Sequence, residues 1–200
     1  MKHQLVGIVN YGSSGNIYNI AKAFEKVGSR VKIIEKKEEF SGIDKIVLPG
    51  VGVFFDAMQH LKLIKETLVD QINKKPTLAI CLGMQLLSSI GFEFQEAKGL
   101  EIIQAEARKM LVKCKVPHIG WGSLEIVRNT PLFKGVNEKD FFYFMHSFEV
   151  INYTEIIALT EYCNHKFVSA IQKENVFGVQ FHPEKSRESG LKLIENFLSI

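Results

Sequence analysis

The sequence predicts an α/β domain: a central, mostly parallel sheet with flanking helices and added antiparallel strands. Three observations carry this. In the first half, short β-branched apolar runs end in Gly or Pro and alternate with segments whose apolar residues recur at three- and four-residue spacing, the signature of βα units with right-handed crossovers. From about residue 102 the rhythm changes to short strand-like runs separated by Asn, Gly and charged residues. The 200 residues, 46% hydrophobic and 24% charged, suffice for one compact domain spanning 1–200 and are too few for two full-sized ones.

In chain order, Val6 to Val9 reads as the first strand. The turn Gly12-Ser-Ser-Gly15 then leads into a helix from Ile17 to Val27, with Ile17, Ile20, Ala21 and Phe24 on one face and Gly28 as its C-terminal stop. Val31 to Ile34 and Lys45 to Leu48 are the next strands. Met58, Leu61, Ile64, Leu68 and Ile72 keep helical period through a single helix expected from Ala57 to Ile72, and Thr77 to Ile80 is the fourth strand. The runs 124–127, 141–145, 156–160, 167–171 and 176–181 read as antiparallel strands on the same core. A last helix is expected with Ser186 as its cap and Leu191, Ile194 and Leu198 as its apolar stripe.

Composition excludes several function classes. A net charge of +3 with basic residues scattered among acids does not suggest a nucleic-acid partner. No apolar run reaches the ~18 residues of a spanning helix, and Met-Lys-His-Gln passes straight into a strand rather than a signal peptide, so a cytoplasmic location is expected. Three cysteines, Cys81, Cys114 and Cys163, at unrelated spacings predict neither a disulfide framework nor a zinc site. The Gly12–Gly15 turn lacks both the dinucleotide glycine spacing and a phosphate-loop lysine, and no cofactor or metal is expected.

Chemistry concentrates in three places. In Thr77-Leu-Ala-Ile-Cys81-Leu-Gly-Met-Gln85 a strand runs into a cysteine flanked by the small Ala79 and Gly83, which permit the tight strand-to-helix turn that lifts a nucleophile above a sheet edge. The helix start behind it favours a thiolate and offers free N–H groups to an oxyanion. The alternative is a structural cysteine closing a core strand. In Gln180-Phe-His182-Pro-Glu184 another strand ends in a histidine with a carboxylate two residues on, suited to orient an imidazole toward a thiol. In Pro49-Gly-Val-Gly52 a strand ends in a turn that can rotate a peptide at little steric cost. His3, near the terminus, His60, in a helix, and His165, in a polar turn, read as surface or packing residues.

These motifs, in this order and at these separations, resemble the class I, or triad, glutamine amidotransferases. The resemblance implies a flavodoxin-like fold, with Cys81 as the nucleophile forming a γ-glutamyl thioester, His182 as general base and then acid, and Glu184 orienting it. It also implies an oxyanion hole from the N–H groups of Leu82 and Val51, and a glutamine site from Gly50, Gly52, Gln85, Glu93, Ser147 and Phe148. Val116-Pro-His-Ile-Gly-Trp121, Tyr143-Phe-Met-His146-Ser-Phe148 and Lys185-Ser186 resemble the HisH branch, glutaminase subunits of imidazole glycerol phosphate synthases. That implies a heterodimer with a HisF-type (β/α)₈ cyclase, docked through Trp121, Tyr143 and Lys185. Two stretches depart from the branch. Gly122 stands where Asn is usual, implying the loss of an interface hydrogen-bonding side chain, and Ser88 to Glu93 lacks the acidic cluster typical there. Other readings are a paralogue supplying ammonia for amidination of a cell-surface sugar, a cysteine peptidase or stress protein of the same fold, or an inactive scaffold, which the intact triad argues against.

Overall fold

The computed structural model describes residues 4–12, 14–137 and 139–200; His3, and Ser13 of the glycine turn, lie outside them. The strands are β1 (Leu5–Val9), β2 (Arg30–Ile34), β3 (Lys45–Leu48), β4 (Thr77–Ile80), β5 (Ile90–Gly91), β6 (Ala97–Lys98), β7 (Glu106–Lys109), β8 (His118–Ser123), β9 (Glu125–Ile126), β10 (Phe141–His146), β11 (Phe148–Ile151), β12 (Ile156–Tyr162), β13 (His165–Lys173) and β14 (Val176–Val179). The helices are α1 (Ser14–Lys26), α2 (Phe54–Leu61), α3 (Lys65–Lys74), α4 (Leu82–Leu86) and α5 (Arg187–Ser199).

An eight-stranded sheet runs in the order β2-β1-β3-β4-β14-β13-β12-β9. It is parallel from β2 through β14 and antiparallel beyond. Successive strand residues face opposite sides: Ile46, Leu48 and Ala79 join the cluster under α2 and α3, while Val47, Leu78 and Ile80 join the one under α1 and α5. The two faces explain why these strands read as unbroken apolar runs: both sides are covered. The carboxyl ends of the neighbouring strands β3, β4 and β14 therefore come together at one edge of the molecule, where open α/β sheets place their ligands.

Several expectations are corrected. The single helix from Ala57 to Ile72 is two, broken between Leu61 and Lys65. Leu61, Ile64, Leu68 and Ile72 all remain buried while Leu63 points into solvent; the apolar period persists across the break, so periodicity could not reveal it. Ser186 precedes α5 without capping it: its hydroxyl donates to the His182 carbonyl at 2.6 Å and accepts from the Tyr143 N–H at 2.9 Å. Leu193, Ile194 and Phe197, rather than Leu191 and Leu198, are the fully buried face of α5. His165 begins β13 and pairs with the buried Glu149 at 2.9 Å instead of occupying a turn. Cys114 and Cys163 form a disulfide with Cα atoms 6.2 Å apart. Sequence spacing held no hint of this, because it is the β12–β13 hairpin that carries Cys163 to the loop before β8.

β5, β6, β7, β8 and β11 are strands that the sequence did not indicate. The strand expected at 141–145 lies outside the main sheet: as β10 it pairs with β8 in a small two-stranded sheet, and β11, β7, β5 and β6 form another. Among the described residues no helix is long and apolar enough to cross a membrane.

Candidate active site

Cys81 is the hinge between β4 and α4. Its N–H continues the sheet by donating to the Val179 carbonyl at 2.7 Å, and its carbonyl starts the helix by accepting from the Gln85 N–H at 3.2 Å. One residue must serve both ladders, which holds it at φ +48°, ψ −105°, an unfavourable region for a side-chain-bearing residue. The turn is possible only because its neighbours lack side chains. A Cβ on Gly83 would lie 2.4 Å from the Leu48 carbonyl oxygen, and one on Gly50 would lie 2.7 Å from that of Ile80 and 2.9 Å from Cys81 Cβ. Cys81 is a free thiol with its side chain nearly buried.

His182 lies where the chain leaves β14, its N–H donating to the Tyr143 carbonyl at 2.8 Å. Its Nδ1 meets Glu184 Oε1 at 2.8 Å, and neither side chain has exposed surface. The proton thus sits on Nδ1, leaving Nε2 for the thiol. Burial opposes the imidazolium, but the charge and proximity of Cys81, with Glu184 behind, lift the His182 pKa to about 10. Nε2 has no hydrogen-bond partner by geometry among the described residues, while the ring lies within electrostatic reach of the Cys81 sulfur. The sequence did not single out Asn16, on α1, which donates to Glu184 Oε1 at 3.0 Å, or Tyr11, whose hydroxyl donates to the Pro49 carbonyl. Burial, with the Cys81 charge adding to it, raises the Tyr11 pKa well above its ordinary value, so this phenol stays a donor.

Beside the sulfur opens a cavity of about 210 Å³, below the usual range for large ligands and suited to a small metabolite. It is lined by the turn residues Gly50, Val51 and Gly52, by Cys81, Leu82 and Gln85 at the start of α4, and by Glu93, Ser147 and Phe148. All the residues expected for the glutamine site and oxyanion hole therefore border one space. Pro117, Met145 and His146 border it too and were not anticipated as site residues. Glu93 accepts the Phe54 N–H at 2.8 Å, taking up a free donor of α2, whose N-cap Val53 offers no side-chain oxygen. Burial raises the Glu93 pKa, the Phe54 bond opposes this, and Asp56 adds to it. Gly52 sits at φ +130°, and a Cβ there would make an ordinary van der Waals contact with Leu82 Cδ2 at 3.4 Å.

Trp121, Tyr143 and Lys185 also converge. Trp121 and Tyr143 are cross-strand partners on β8 and β10 with ring centroids 5.7 Å apart, and Lys185 Nζ lies 5.7 Å from the Tyr143 ring. Arg187, missed in the sequence, stacks its guanidinium 5.1 Å from the Trp121 ring. The expectation for Gly122 is corrected. A Cβ at this position would point inward, 3.1 Å from both Phe144 and Thr160, because it alternates with the outward Trp121. Glycine here removes no side chain from the exposed face.

A family model described as glutamine amidotransferase class-I matches residues 8–200. The chain is 45% identical over 199 residues to the imidazole glycerol phosphate synthase subunit HisH of Methanocaldococcus jannaschii, covering 98% of this chain and 100% of that protein. It is 43% identical over 199 residues to HisH 1 of Campylobacter jejuni subsp. jejuni strain 81-176, covering 96% and 98%. Among solved structures, PurLQS from Thermotoga maritima superposes with a TM-score of 0.78 at 17% identity, covering 98% of each chain. A second glutamine amidotransferase from Thermotoga maritima gives 0.68 at 17%, covering 100% of this chain and 84% of that one. At such identities these two speak to the fold alone.

Proposed function

The chain belongs to the class I glutamine amidotransferases, and on that premise we propose that it is the glutaminase subunit of an imidazole glycerol phosphate synthase. It hydrolyses L-glutamine to glutamate and ammonia, and the ammonia passes to a HisF-type (β/α)₈ cyclase that makes imidazole glycerol phosphate and AICAR. The observation that carries this is the strained Cys81 elbow at the border of a metabolite-sized cavity, with the hydrogen-bonded His182–Glu184 pair within electrostatic reach of its sulfur. Full-length similarity to HisH proteins supports the choice of branch.

The residues divide the chemistry as follows. Cys81 Sγ attacks the side-chain amide carbon of glutamine as His182 Nε2 takes up the thiol proton, and the carbonyl oxygen becomes an oxyanion. The Leu82 N–H, which opens α4 and so has no acceptor within the helix, is one donor to it; the Val51 N–H is the other. Collapse breaks the carbon–nitrogen bond, His182 returns its proton to the leaving nitrogen, and ammonia departs from the thioester. Water, deprotonated by His182, then releases glutamate and restores Cys81. Glu93 takes the α-amino group. Tyr11 holds the Pro49 carbonyl, so a reorientation that sets the second donor is confined to the Gly50–Val51 peptide, which carries the Val51 N–H. Docking of the cyclase over Trp121, Tyr143 and Lys185 would drive it.

Two measurements test this. The isolated chain should be a poor glutaminase whose kcat rises by about 10² to 10³ when the cyclase and its nucleotide ligand are added, the worth of one oxyanion donor; full activity without a partner would remove the gating. Co-expressed with its cyclase, the chain should restore growth without histidine to an auxotroph lacking its own glutaminase subunit. Failure by soluble, expressed protein whose glutaminase answers to a different HisF-like chain would transfer the assignment to the sugar-modifying paralogue.

A further inference from the structure

Two buried side-chain amides connect the wall of the cavity to the back of the nucleophile. Gln85 Nε2 donates to the Phe148 carbonyl at 3.0 Å and to Gln180 Oε1 at 3.3 Å, and Gln180 Nε2 donates to Cys81 Sγ at 3.4 Å. Gln180 is fully buried. The direction of this chain is dictated at its far end. A peptide carbonyl can only accept, so Phe148 O selects the nitrogen of Gln85; that nitrogen selects the oxygen of Gln180; and the nitrogen of Gln180 is left facing the sulfur. On another side of Sγ lies the Met145 carbonyl, 3.8 Å away and an acceptor for the thiol proton. A carbonyl there opposes negative charge on sulfur, and the Gln180 N–H offsets it.

We propose that Gln180 is a positioning residue for the glutaminase reaction: its N–H, aimed by Gln85 and Phe148, holds Cys81 Sγ toward the cavity and supports the negative charge that develops on it when its proton is taken up. This rests on the glutaminase reading above. It also gives Gln85 a second task, since the same amide that borders the cavity sets the direction of Gln180.

The test alkylates Cys81 in the full chain with iodoacetamide across a pH series, locating the adduct by mass spectrometry, and measures kcat and KM for glutamine with the cyclase present. Gln180→Leu should slow alkylation roughly tenfold at neutral pH, the size of one hydrogen bond to a charged group, and move its pH profile upward. It should lower kcat by a similar factor with KM within about twofold, a split that loose packing would not produce. Gln180→Glu preserves shape and the acceptor for Gln85 but sets a carboxylate against the sulfur. It should alkylate more slowly still at neutral pH and recover, relative to the native chain, as acid protonates the new side chain and makes it a donor. Folded Gln180→Leu with alkylation within twofold of native, or with kcat reduced and alkylation unchanged, overturns the proposal. Should Gln180→Leu not melt cooperatively, Gln180→Glu decides by its acid recovery. Alkylation needs no glutamine, so slowed alkylation in a chain whose native form hydrolyses none would sustain the Gln180 role and sink the glutaminase reading.

Discussion

The two turns that flank the substrate cavity are built to opposite specifications. At the nucleophile elbow, strand and helix hydrogen bonds converge on Cys81, and added Cβ atoms at Gly83 and Gly50 would collide with backbone at 2.4 and 2.7 Å. At the neighbouring Val51–Gly52 turn, φ is +130° and a Cβ would meet nothing closer than a leucine methyl at 3.4 Å. Both turns are glycine-rich, and the glycines serve different ends: in the first they allow close approach, in the second conformational freedom. On the proposed mechanism the molecule fixes its nucleophile and leaves an oxyanion donor adjustable, which is the allocation an enzyme needs if a partner is to control it.

The most severe way to probe the fixed side is to remove its reactive atom. Cys81→Ala should lower glutamine-dependent synthesis by about 10⁴ or more while ammonia-dependent synthesis by the partner continues, because free ammonia bypasses this subunit. Retained glutamine turnover in that variant would dismiss the triad.

Paired substitutions at the two turns test the contrast itself. Gly52→Ala puts a side chain at φ +130° and should lower the melting temperature through backbone strain of about 1–3 kcal/mol, and it should also reduce kcat in the complex by about 10² to 10³, since it disturbs the turn that carries the donor. Gly83→Ala should lower the melting temperature by steric collision instead, overpacking the elbow against Leu48 at a cost of about 1–3 kcal/mol. Native kcat in the Gly52→Ala complex, or a native melt for Gly83→Ala, would erase the distinction.

The two histidines bordering the nucleophile sharpen the comparison through pH. His146 Nδ1 donates to the Phe148 carbonyl, 2.9 Å away. Burial, reinforced by His118 and His182 against the help of that carbonyl, holds its pKa down at about 3. Between the ordinary value near 6.5 and about 3 the unfolded chain binds a proton that the folded chain refuses. The stability contribution is therefore whole above pH 6.5 and lost as pH falls toward 3. His182 has the opposite sign: with its pKa raised to about 10, its contribution is whole below 6.5 and lost as pH climbs through 10. Urea midpoints measured along a pH series should show His146→Gln flattening only the acid limb and Cys81→Ala only the alkaline one. A variant that moves both limbs equally would contradict the separate assignments.

The smallest effect on activity is expected at Gly122. Because its Cβ direction is inward, Gly122→Asn should destabilise by about 1–3 kcal/mol through crowding of Phe144 and Thr160, with little change in affinity for the cyclase. Tighter partner binding with an unchanged melt would restore position 122 to the docking face.

Legibility in the sequence followed distance. The βα alternation of the first half, the cysteine elbow with its small neighbours, and the His182–Glu184 strand end were readable because each is a pattern within a few residues. Their convergence at one sheet edge was inferable from the order of parallel strands. The roles of Asn16 and Gln180 were not legible because their partners, Glu184 and Cys81, lie 168 and 99 residues away, and nothing in either local sequence marks a donor for a distant carboxylate or sulfur.

The sequence by itself determined the parallel sheet, its covered faces and the residue types of the reactive centre, since periodicity and turn chemistry are local consequences of backbone geometry. Tertiary structure alone decided the break between α2 and α3, the Cys114–Cys163 bridge, the inward aim of Gly122 and the direction of the Phe148–Gln85–Gln180–Cys81 hydrogen-bond chain. Each of these depends on which surfaces meet when separate elements pack, and a buried donor or acceptor takes its role from the group it is packed against rather than from its neighbours along the chain.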